Sequence, residues 1–560
     1  MKKLLYVGEP HFLHTGYGVY CKEVLSRLYD TGKYDITEMG NWGEFNDKRA
    51  TAPWKFIGSF PRALRDGNID PRTTEEKQEY DAYAADGANQ FGKQKFDDTV
   101  LALKPDIVFN ILDVWMFEYI LKSPYRPYFH FAVMPTVDSR PVNPDWVMKY
   151  KEADAVFSYT DWGVETLKEC SGDLLNLTGV AIPGTNPAHF RPILNKREHK
   201  KAMGLDPDKF YVGAVMRNQK RKLFDDLFQA FRQFLDQNPD LAPKTLLYLH
   251  TSFPDSGWNF PTLLKENGLS SKVVFSYICQ ACNQYAPSYF ADSLAHCTRC
   301  NNQASHMPNT KHGVDSETLG RVMNSFDCMV QYSLAESPGM PQAECGATGT
   351  YVFSVDYSGM ADVISKLECG AIDVERFFRE SETHRYFALP SNEDFVAKLA
   401  AFLRLPDSVK ARMGFNIHKK TLANFDWDKT AKVWENHFDS VDNKVDWNSP
   451  PKIFNPTRQF PSNCSNYDFV KYCFANVLGQ PERFATYFGA KMLQDLNNRV
   501  TPEFMGGFYI ADQSLLGSAD RTKKFERPEL VQYLTSLRDS MNKAEAKRCG
   551  LVPFPKPYWV

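Results

Sequence analysis

The sequence DCMVQYSLAESPGMPQAE, residues 327–344, predicts a buried strand, a tight turn and the start of a helix. Gly339 suits the turn, and Pro341 suits the first position of a helix. In open parallel sheets, ligands bind beyond the carboxyl ends of the strands, where loops meet helix N-termini. Glu336 on the turn and Glu344 in the first turns of the helix are therefore candidate binding residues. A carboxylate at the second position can accept two hydrogen bonds from a ribose diol.

The same alternation of strand and helix runs through most of the chain. Apolar runs typical of strands lie at 4–8, 106–112, 128–133, 155–159, 178–182, 211–216, 246–250, 273–278, 327–332 and 351–355. Amphipathic segments separate them, as in a parallel sheet covered by helices on both faces. Long helical patterns follow at 469–478, 483–496 and 528–547. We predict two doubly wound, Rossmann-like α/β domains, at 1–190 with an insertion at 44–98 and at 191–440, and a mainly helical extension at 441–560.

The composition excludes several classes of protein. The 560 residues include 24% charged and 43% hydrophobic side chains, and the formal net charge is -2. This length and balance indicate large buried cores and no bulk charge for holding nucleic acid. The first apolar run stops at Gly8, which is too short for a signal-peptide core, and no stretch reaches the ~18 apolar residues needed to cross a bilayer. We therefore expect a soluble, cytoplasmic protein without a transmembrane segment.

Four cysteines are regularly spaced, as Cys279-x2-Cys282 and Cys297-x2-Cys300 with 14 residues between the pairs. This spacing lets four thiolates converge on one tetrahedral Zn²⁺, as in a zinc ribbon. Two disulfides or unrelated thiols are the alternatives, and a cytosolic location disfavours the disulfides. We predict a structural zinc ribbon inserted at 277–312, whose closed coordination shell leaves no position for a substrate or an activated water.

A second candidate loop, RNQKRK at residues 217–222, follows the strand at 211–216 and leads straight into a helix. Two or more cations at a helix N-terminus make a good diphosphate site, because the helix dipole adds to their positive charge. The alternative is a solvated run of charges at the start of a helix.

The two loops together resemble a known family. Glu336-x7-Glu344 around a Gly-x-Pro turn, downstream of Arg217-x4-Lys222, resembles the retaining GT-B glycosyltransferases of family 4. Further similar segments lie at 16–18, 134–138, 153–163 and 425–428, so that the resemblance covers, with gaps, roughly residues 1–440. The sequence departs from the family at the turn, which reads Glu-Ser-Pro-Gly. It departs again where the usual His-Gly-Val-Asp is replaced by Pro-Gly-Thr-Asn, at 183–186.

This resemblance implies a GT-B fold, in which two Rossmann-like domains face each other across a cleft. It also implies the transfer of a hexosyl or pentosyl group, with retention, from a UDP-sugar or another nucleotide sugar to an acceptor hydroxyl. Arg217 and Lys222 would neutralise the donor diphosphate, whose negative charge grows in the transition state. Glu344 would bind the ribose hydroxyls. Because the cations supply the positive charge, this chemistry needs no divalent metal.

The other residues that the resemblance assigns are grouped by the part of the donor they would meet. They are Glu336 with the backbone of Gly339, Met340 and Pro341 for the sugar, Gly16 and Gly18 for the phosphate, Tyr277 or Ile278 for the nucleobase, and Asp138 near the reacting carbon, where many members have a histidine.

The sequence leaves the acceptor open among a saccharide, a lipid, a small molecule, a protein and modified DNA. A zinc ribbon hints at DNA with hydroxymethylated bases, as in phage DNA-modifying glycosyltransferases. That hypothesis rests on the segment 279–300 together with Arg299, Lys311 and Arg321. The alternative is a ribbon that only braces the insertion.

Two other classes of function keep the same fold. One is a non-catalytic, zinc-containing scaffold derived from a glycosyltransferase, and the joint presence of Glu336, Glu344, Arg217 and Lys222 argues against it. The other is a phosphorylase or synthase, for which the sequence offers no convincing lysine motif for a pyridoxal cofactor.

Overall fold

The computed structural model describes residues 1–291, 295–297, 299–309, 312–442, 446–454, 464, 466–481, 484, 508–510 and 523–560. Within this part of the chain there are two lobes, each built on a sheet of parallel strands with an apolar core on both faces. No described helix combines the length and the apolar character that a membrane crossing requires. Lys311 and the predicted helix at 483–496, apart from Phe484, lie outside the described residues.

The first lobe alternates strands and helices from its first residue. Its strands are β1 (Lys2–Gly8), β2 (Tyr34–Gly40), β3 (Lys55–Gly58), β4 (Leu64–Arg65), β5 (Asn68–Ile69), β6 (Ile107–Asn110), β7 (His130–Val133), β8 (Ala155–Ser158) and β9 (Leu177–Val180). Its helices are α1 (Gly16–Asp30), α2 (Thr74–Ala84), α3 (Lys93–Leu103), α4 (Val114–Lys122), α5 (Pro144–Tyr150) and α6 (Asp161–Ser171), with short 3-10 turns at Gly87–Phe91 and Arg126–Tyr128.

Seven of these strands form one parallel sheet in the order β3-β2-β1-β6-β7-β8-β9. The segment 44–98, expected as an insertion, contributes β3 to this sheet, where Lys55 pairs with Thr37 of β2. The rest of that segment forms the β4–β5 hairpin, helix α2, the 3-10 turn at Gly87–Phe91 and the start of α3, which packs on a face of the sheet. All strands of the sheet point the same way, so their carboxyl ends share one edge.

The second lobe begins with a short helix. Its elements are α7 (Lys196–Ala202), β10 (Phe210–Val215), α8 (Phe224–Gln237), β11 (Thr245–His250), α9 (Phe260–Glu266), β12 (Val273–Cys279), β13 (Tyr285–Tyr289), β14 (Ala295–His296), β15 (Gln303–His306), α10 (Ser316–Asn324), β16 (Cys328–Gln331), α11 (Met340–Ala347), β17 (Tyr351–Val355), α12 (Gly359–Leu367), β18 (Gly370–Ile372), β19 (Val374–Arg379), β20 (Tyr386–Pro390), α13 (Asn392–Leu403) and α14 (Asp407–Asn424).

The parallel part of the second sheet has the order β12-β11-β10-β16-β17-β18. The cysteine segment adds to its edge, because β13 and β15 both pair antiparallel with β12, and β14 pairs with β15. Strands β19 and β20 form a separate hairpin. These sheets confirm the prediction of two Rossmann-like lobes with an inserted cysteine segment.

Helix α15 (Trp427–Ser440) follows the second lobe in sequence but packs on the first. The Trp434 ring is fully buried, its centroid is 4.3 Å from that of Phe157, and its indole N–H donates to the Tyr20 hydroxyl at 2.8 Å. The last helix of the predicted 191–440 domain therefore covers the first sheet. The chain crosses between the lobes twice, near residues 185 and 425. The two crossings lie side by side, because the Thr185 N–H donates to the Phe425 carbonyl at 3.0 Å.

The described part of the C-terminal extension is mainly helical, as predicted. It consists of α16 (Asn466–Cys473), a π turn at Phe474–Leu478, the pair β21 (Phe508–Ile510) and β22 (Lys523–Phe525), and α17 (Arg527–Arg548). Helices α16 and α17 share a small apolar core of their own.

The extension docks on the first lobe through aromatic side chains. Trp447 lies against Tyr128, with ring centroids 5.2 Å apart. Near the end of the chain, the Trp559 indole N–H donates to Thr99 Oγ1 at 2.9 Å, and the Lys95 ammonium lies 5.5 Å from the Trp559 ring centroid. Trp559 packs against the same core that lies between the first sheet and helix α3.

We expect Trp559→Ala to lower the free energy of unfolding of the first lobe by about 2–4 kcal/mol, because the ring leaves a partly buried site and Thr99 loses its donor. Urea unfolding followed by tryptophan fluorescence measures this change. The control Leu551→Ala removes a side chain that is 64% exposed and should leave stability within about 0.5 kcal/mol. Equal stabilities of the two variants would contradict docking of the extension.

Candidate active site

The first turns of two helices, one from each lobe, meet between the lobes. Gly16 begins α1, and Met340 begins α11 directly after the turn that carries Glu336. A Cβ added at Gly16 would lie 3.7 Å from Met340 Sδ, and Met340 packs against the core of the first lobe. The predicted glycine loop and the predicted turn therefore belong to one place in the molecule.

The glycine loop is shorter than the sequence suggests, because the helix already begins at Gly16. Thr15 caps this helix by accepting a hydrogen bond from the Gly18 N–H at 3.1 Å. A Cβ at Gly18 would lie only 2.5 Å from the Leu13 carbonyl oxygen. Gly18 is therefore needed for packing beneath the loop, and its amide is engaged by the cap. Gly16 is exposed and free of such a contact with backbone.

The cation loop at 217–222 begins with an arginine held by the next loop of the second lobe. The Arg217 guanidinium donates two hydrogen bonds to Asp255, at 2.8 and 3.0 Å. Burial alone would raise the pKa of Asp255, but the hydrogen bonds from Arg217 and Ser252 lower it to about 2. Arg217 is 48% exposed and thus reaches solvent while its direction is fixed.

The same loop ends in a buried ion cluster around Glu336. The Lys222 ammonium contacts Glu336 Oε1, and the Arg221 guanidinium lies 2.7 Å from the same oxygen. The amide of Gln331 adds a hydrogen bond to it at 3.3 Å. Burial, together with the neighbouring charge of Arg221, holds the pKa of Lys222 well below its usual range. The predicted Lys222 and Glu336 are thus in direct contact.

Arg221 is a member of this cluster that the sequence analysis missed. It lies in the same run of cations as the two predicted residues, so the signal was present. The Arg-x4-Lys spacing drew attention to its neighbours instead. Its guanidinium also donates to the Ala335 carbonyl at 3.0 Å, which ties the loop to the turn.

Glu344 lies in α11, half-buried, where the sequence places it. Among the described residues, no hydrogen bond or ion pair to its carboxylate is present, and burial alone raises its pKa to about 7. The neighbouring Ser337 hydroxyl and the Gln342 side-chain oxygen are likewise buried without a hydrogen-bond partner in the described chain. Polar groups left without partners beside one turn suit a ligand rich in hydroxyls.

The first lobe faces this cation loop with carboxylates. Asp138 accepts a hydrogen bond from the Arg385 guanidinium at 2.8 Å. Asp113, which the sequence analysis did not single out, lies after β6, and burial followed by the charge of Asp138 raises its pKa to about 7. The Tyr17 hydroxyl lies 2.5 Å from Thr136 Oγ1, and the side chain of Thr136 partly opposes the rise in the pKa of Asp113.

Charges from the two lobes act on each other across the gap. Burial raises the pKa of Glu9, and the charge of Arg217 opposes the rise. In the same way, the charge of Asp138 opposes the lowering of the Lys222 pKa. The predicted Asp138 of the first lobe and Lys222 of the second therefore lie close enough for their charges to interact.

Tyr277 and Ile278 lie at the end of β12, next to the cysteine segment. Their side chains are buried, and the Tyr277 hydroxyl accepts a hydrogen bond from the Ala291 N–H at 2.9 Å. Ile278 pairs with Tyr285 on β13 and with His306 on β15. The structure gives neither side chain a contact with the cation loop.

Cys279, Cys282, Cys297 and Cys300 come together at one point. Their four sulfurs all lie within 4.8 Å of one another, with separations of 3.6 Å for Cys279–Cys300 and 3.5 Å for Cys282–Cys297. Tetrahedral coordination with Zn–S bonds of about 2.3 Å requires sulfurs about 3.8 Å apart, so the group fits a zinc ion. Arg299 and Arg321, which lie near these cysteines in the sequence, are both exposed.

Comparisons with known proteins show the fold. No family model matches the sequence, and no curated protein matches it. The chain is similar to the solved structure of sucrose-phosphate synthase from Thermosynechococcus elongatus, with 14% identity and a TM-score of 0.55 over 79% of this chain and 100% of the other. A glycosyltransferase from Rickettsia africae has 12% identity and a TM-score of 0.51, over 78% of this chain and 97% of the other. Anabaena HepE in complex with UDP has 12% identity and a TM-score of 0.50, over 79% of this chain and 100% of the other. The predicted two-lobed GT-B fold is thereby confirmed.

We expect Glu344→Gln to stabilise the free protein at pH 8 and to change it much less at pH 5. The folded-state pKa of about 7 lies above the ordinary 4.5, so ionisation of Glu344 costs folding free energy as the pH rises through this interval. Glutamine does not ionise and avoids this loss, so we expect a rise in Tm of about 2 °C or more at pH 8.

Differential scanning fluorimetry at both pH values measures the effect. Glu266→Gln, at an exposed position of the same lobe, serves as the control and should show no pH-dependent change. A Glu344→Gln variant that loses stability at pH 8 would mean that the carboxylate has a charged partner.

Proposed function

We propose that the chain is a retaining glycosyltransferase, which transfers a sugar from a nucleoside diphosphate donor to an acceptor hydroxyl. One observation carries the proposal. Three cations, Arg217, Arg221 and Lys222, lie just before helix α8. Arg221 and Lys222 contact Glu336, and the charge of Arg217 acts on Glu9 of the first lobe. This is the charge that a departing diphosphate needs.

The roles of the donor-side residues follow from their contacts. Arg217 and Lys222 would bind the diphosphate, and the unpartnered Glu344 would accept hydrogen bonds from the ribose hydroxyls. Glu336, with the backbone of the 339–341 turn, would face the donor sugar. In the free protein Glu336 neutralises Lys222, so that the cleft is balanced before the donor arrives. HepE was solved in complex with UDP, which makes UDP the first nucleotide to test.

The reaction step involves two bonds at the anomeric carbon. The bond from this carbon to the diphosphate oxygen breaks, and the acceptor oxygen bonds to the same face. The acceptor proton passes to the departing diphosphate, and the nucleoside diphosphate leaves. Because Arg217, Arg221 and Lys222 stabilise the leaving charge, we propose that this step requires no divalent metal.

We expect UDP to raise the Tm of the protein, because a ligand at a hundredfold excess over its Kd stabilises the folded state by about 2.7 kcal/mol. Lys222→Ala and Glu344→Ala should each reduce this shift and lower sugar transfer by about 100-fold or more. Lys222→Ala should still fold, since Arg221 continues to pair with Glu336. Glu344→Ala should still fold because its carboxylate has no hydrogen-bond or ion-pair partner among the described residues. UDP release from UDP-sugars, measured beside the thermal shift, tests the proposal.

The matched control is Lys220→Ala, which removes an exposed lysine of the same loop. It should retain the thermal shift and the activity. Full activity in both Lys222→Ala and Glu344→Ala would mean that the donor binds elsewhere, and the absence of a shift with any nucleotide would refute the proposed function.

We further propose that the four cysteines hold one structural Zn²⁺. Metal analysis should find one zinc per chain, and Cys282→Ser should lose it, whereas Cys369→Ser, at a half-buried cysteine outside the group, should keep it. Because the closed shell takes no part in the chemistry, chelation should loosen the insertion while the UDP-induced thermal shift persists. Loss of that shift on chelation would place the metal in donor binding.

A further inference from the structure

The first-lobe side of the cleft is lined by three carboxylates from the ends of three neighbouring strands. Glu9 follows β1, Asp113 follows β6 and Asp138 follows β7; we call these residues the acid cluster. Because the strands are parallel and adjacent, their carboxyl ends bring these side chains to one edge. Tyr17 lies among them, since all three acids act electrostatically on its hydroxyl.

The acid cluster has less positive charge around it than its three carboxylates would need. Asp138 pairs with Arg385 at 2.8 Å. In the described part of the chain, no salt bridge reaches Glu9 or Asp113. The Thr15 hydroxyl donates a hydrogen bond to Glu9, and the side chain of Thr136 opposes the rise in the pKa of Asp113. A carboxylate that already accepts from hydroxyl groups is suited to accept from those of a ligand.

An exposed aromatic surface lies beside the acid cluster. Trp115, in the first turn of α4 after Asp113, is 53% exposed. Its ring centroid is 6.1 Å from that of Trp146, over which the Arg385 guanidinium lies at 5.1 Å. An exposed tryptophan beside buried polar groups is a common feature of binding sites, because its flat face covers apolar C–H surface.

We propose that the acceptor is a saccharide that carries hydroxyl or amino groups and no phosphate, held by the acid cluster and by Trp115. This proposal rests on the proposed function. Carboxylates accept hydrogen bonds from hydroxyl groups and attract an ammonium group, and the indole face suits a sugar ring. A phosphate would instead meet carboxyl groups at short range, which offer it no positive charge and repel it once they are ionised.

The charge of the cleft also favours a saccharide over a nucleic acid as the acceptor. Trp115 could stack on a flipped base, but a nucleic acid needs cations along its backbone. The cations that act on the acid cluster are already engaged: Arg385 by Asp138, Arg217 by Asp255 and Arg221 by Glu336. The saccharide therefore agrees better with the charges of this wall.

The first test compares acceptors that differ only in a phosphate. UDP release is measured with the UDP-sugar that gives the largest thermal shift, in water alone and with glucose, glucosamine, N-acetylglucosamine and maltose. Glucose 6-phosphate, N-acetylglucosamine 6-phosphate and an oligonucleotide containing hydroxymethylcytosine are assayed beside them. We expect at least one unphosphorylated saccharide to speed UDP release about tenfold or more over water, and each phosphate to be at least tenfold poorer than its parent sugar.

The outcomes separate this inference from the proposed function. Donor binding and slow donor hydrolysis, with preference for a phosphorylated sugar or for the oligonucleotide, would overturn the acceptor class and leave the glycosyltransferase proposal standing. Donor hydrolysis that no saccharide accelerates would overturn it as well. Absence of donor binding would refute the proposed function, and the acceptor proposal with it.

The second test uses variants of the acid cluster. Asp113→Asn and Trp115→Ala should raise KM for the preferred saccharide about tenfold, while KM for the donor and the UDP-induced thermal shift stay the same. Asp113→Asn should also narrow the gap between a sugar and its 6-phosphate. Glu165→Gln, at an exposed acid on α6, is the control and should change none of these values. Unchanged acceptor kinetics in both variants would contradict the assignment.

Discussion

The contact of Glu336 with Lys222 and Arg221 holds together the two loops on which the rest of the site depends. The cation loop follows β10 and the acidic turn follows β16, and these strands are neighbours in the second sheet. A hydrogen bond from the Leu334 N–H to the Arg221 carbonyl, at 2.9 Å, joins the same loops. Removing one partner of a buried ion pair typically costs about 3–5 kcal/mol. A second cation on the same carboxylate would keep the turn in place if Lys222 turned to another partner.

The cleft has opposite charge on its two walls. The second lobe contributes the cation loop, and the first contributes carboxylates at its strand ends, with Arg385 reaching over from the β19–β20 hairpin to Asp138. This division suits a reaction in which a polyanion leaves on one side and a hydroxyl group enters on the other. Helix α15 packs on the first sheet through Trp434 and thereby links the lobes where the chain crosses.

The sequence predicts the two lobes well, because buried parallel strands have continuous apolar runs and their helices are amphipathic. It also brings Lys222 and Glu336 to the same site. It does not reveal Asp113, whose elevated pKa arises from burial and from Asp138, neighbours that only the folded chain supplies. Gly18 is a residue for which the sequence suggests the wrong reason. A glycine in a predicted loop suggests room for phosphate, whereas here Gly18 lies in the first turn of α1 and leaves room for the Leu13 carbonyl. The sequence alone does not distinguish a glycine that leaves room for a ligand from one that leaves room for the protein's own backbone.

The cysteine segment lies close to the glycine loop of the first lobe. Cys279 is the last residue of β12, and the segment that follows the fourth cysteine returns towards the first lobe, where a Cβ added at Gly313 would lie 3.3 Å from His14 Cβ. His14 immediately precedes the cap of α1. A metal that closes the four-cysteine shell would join residues 279–282, at the start of the insertion, to residues 297–300. The same ion would then limit the movement of the chain that leads to Gly313, and so steady the contact of this segment with the glycine loop.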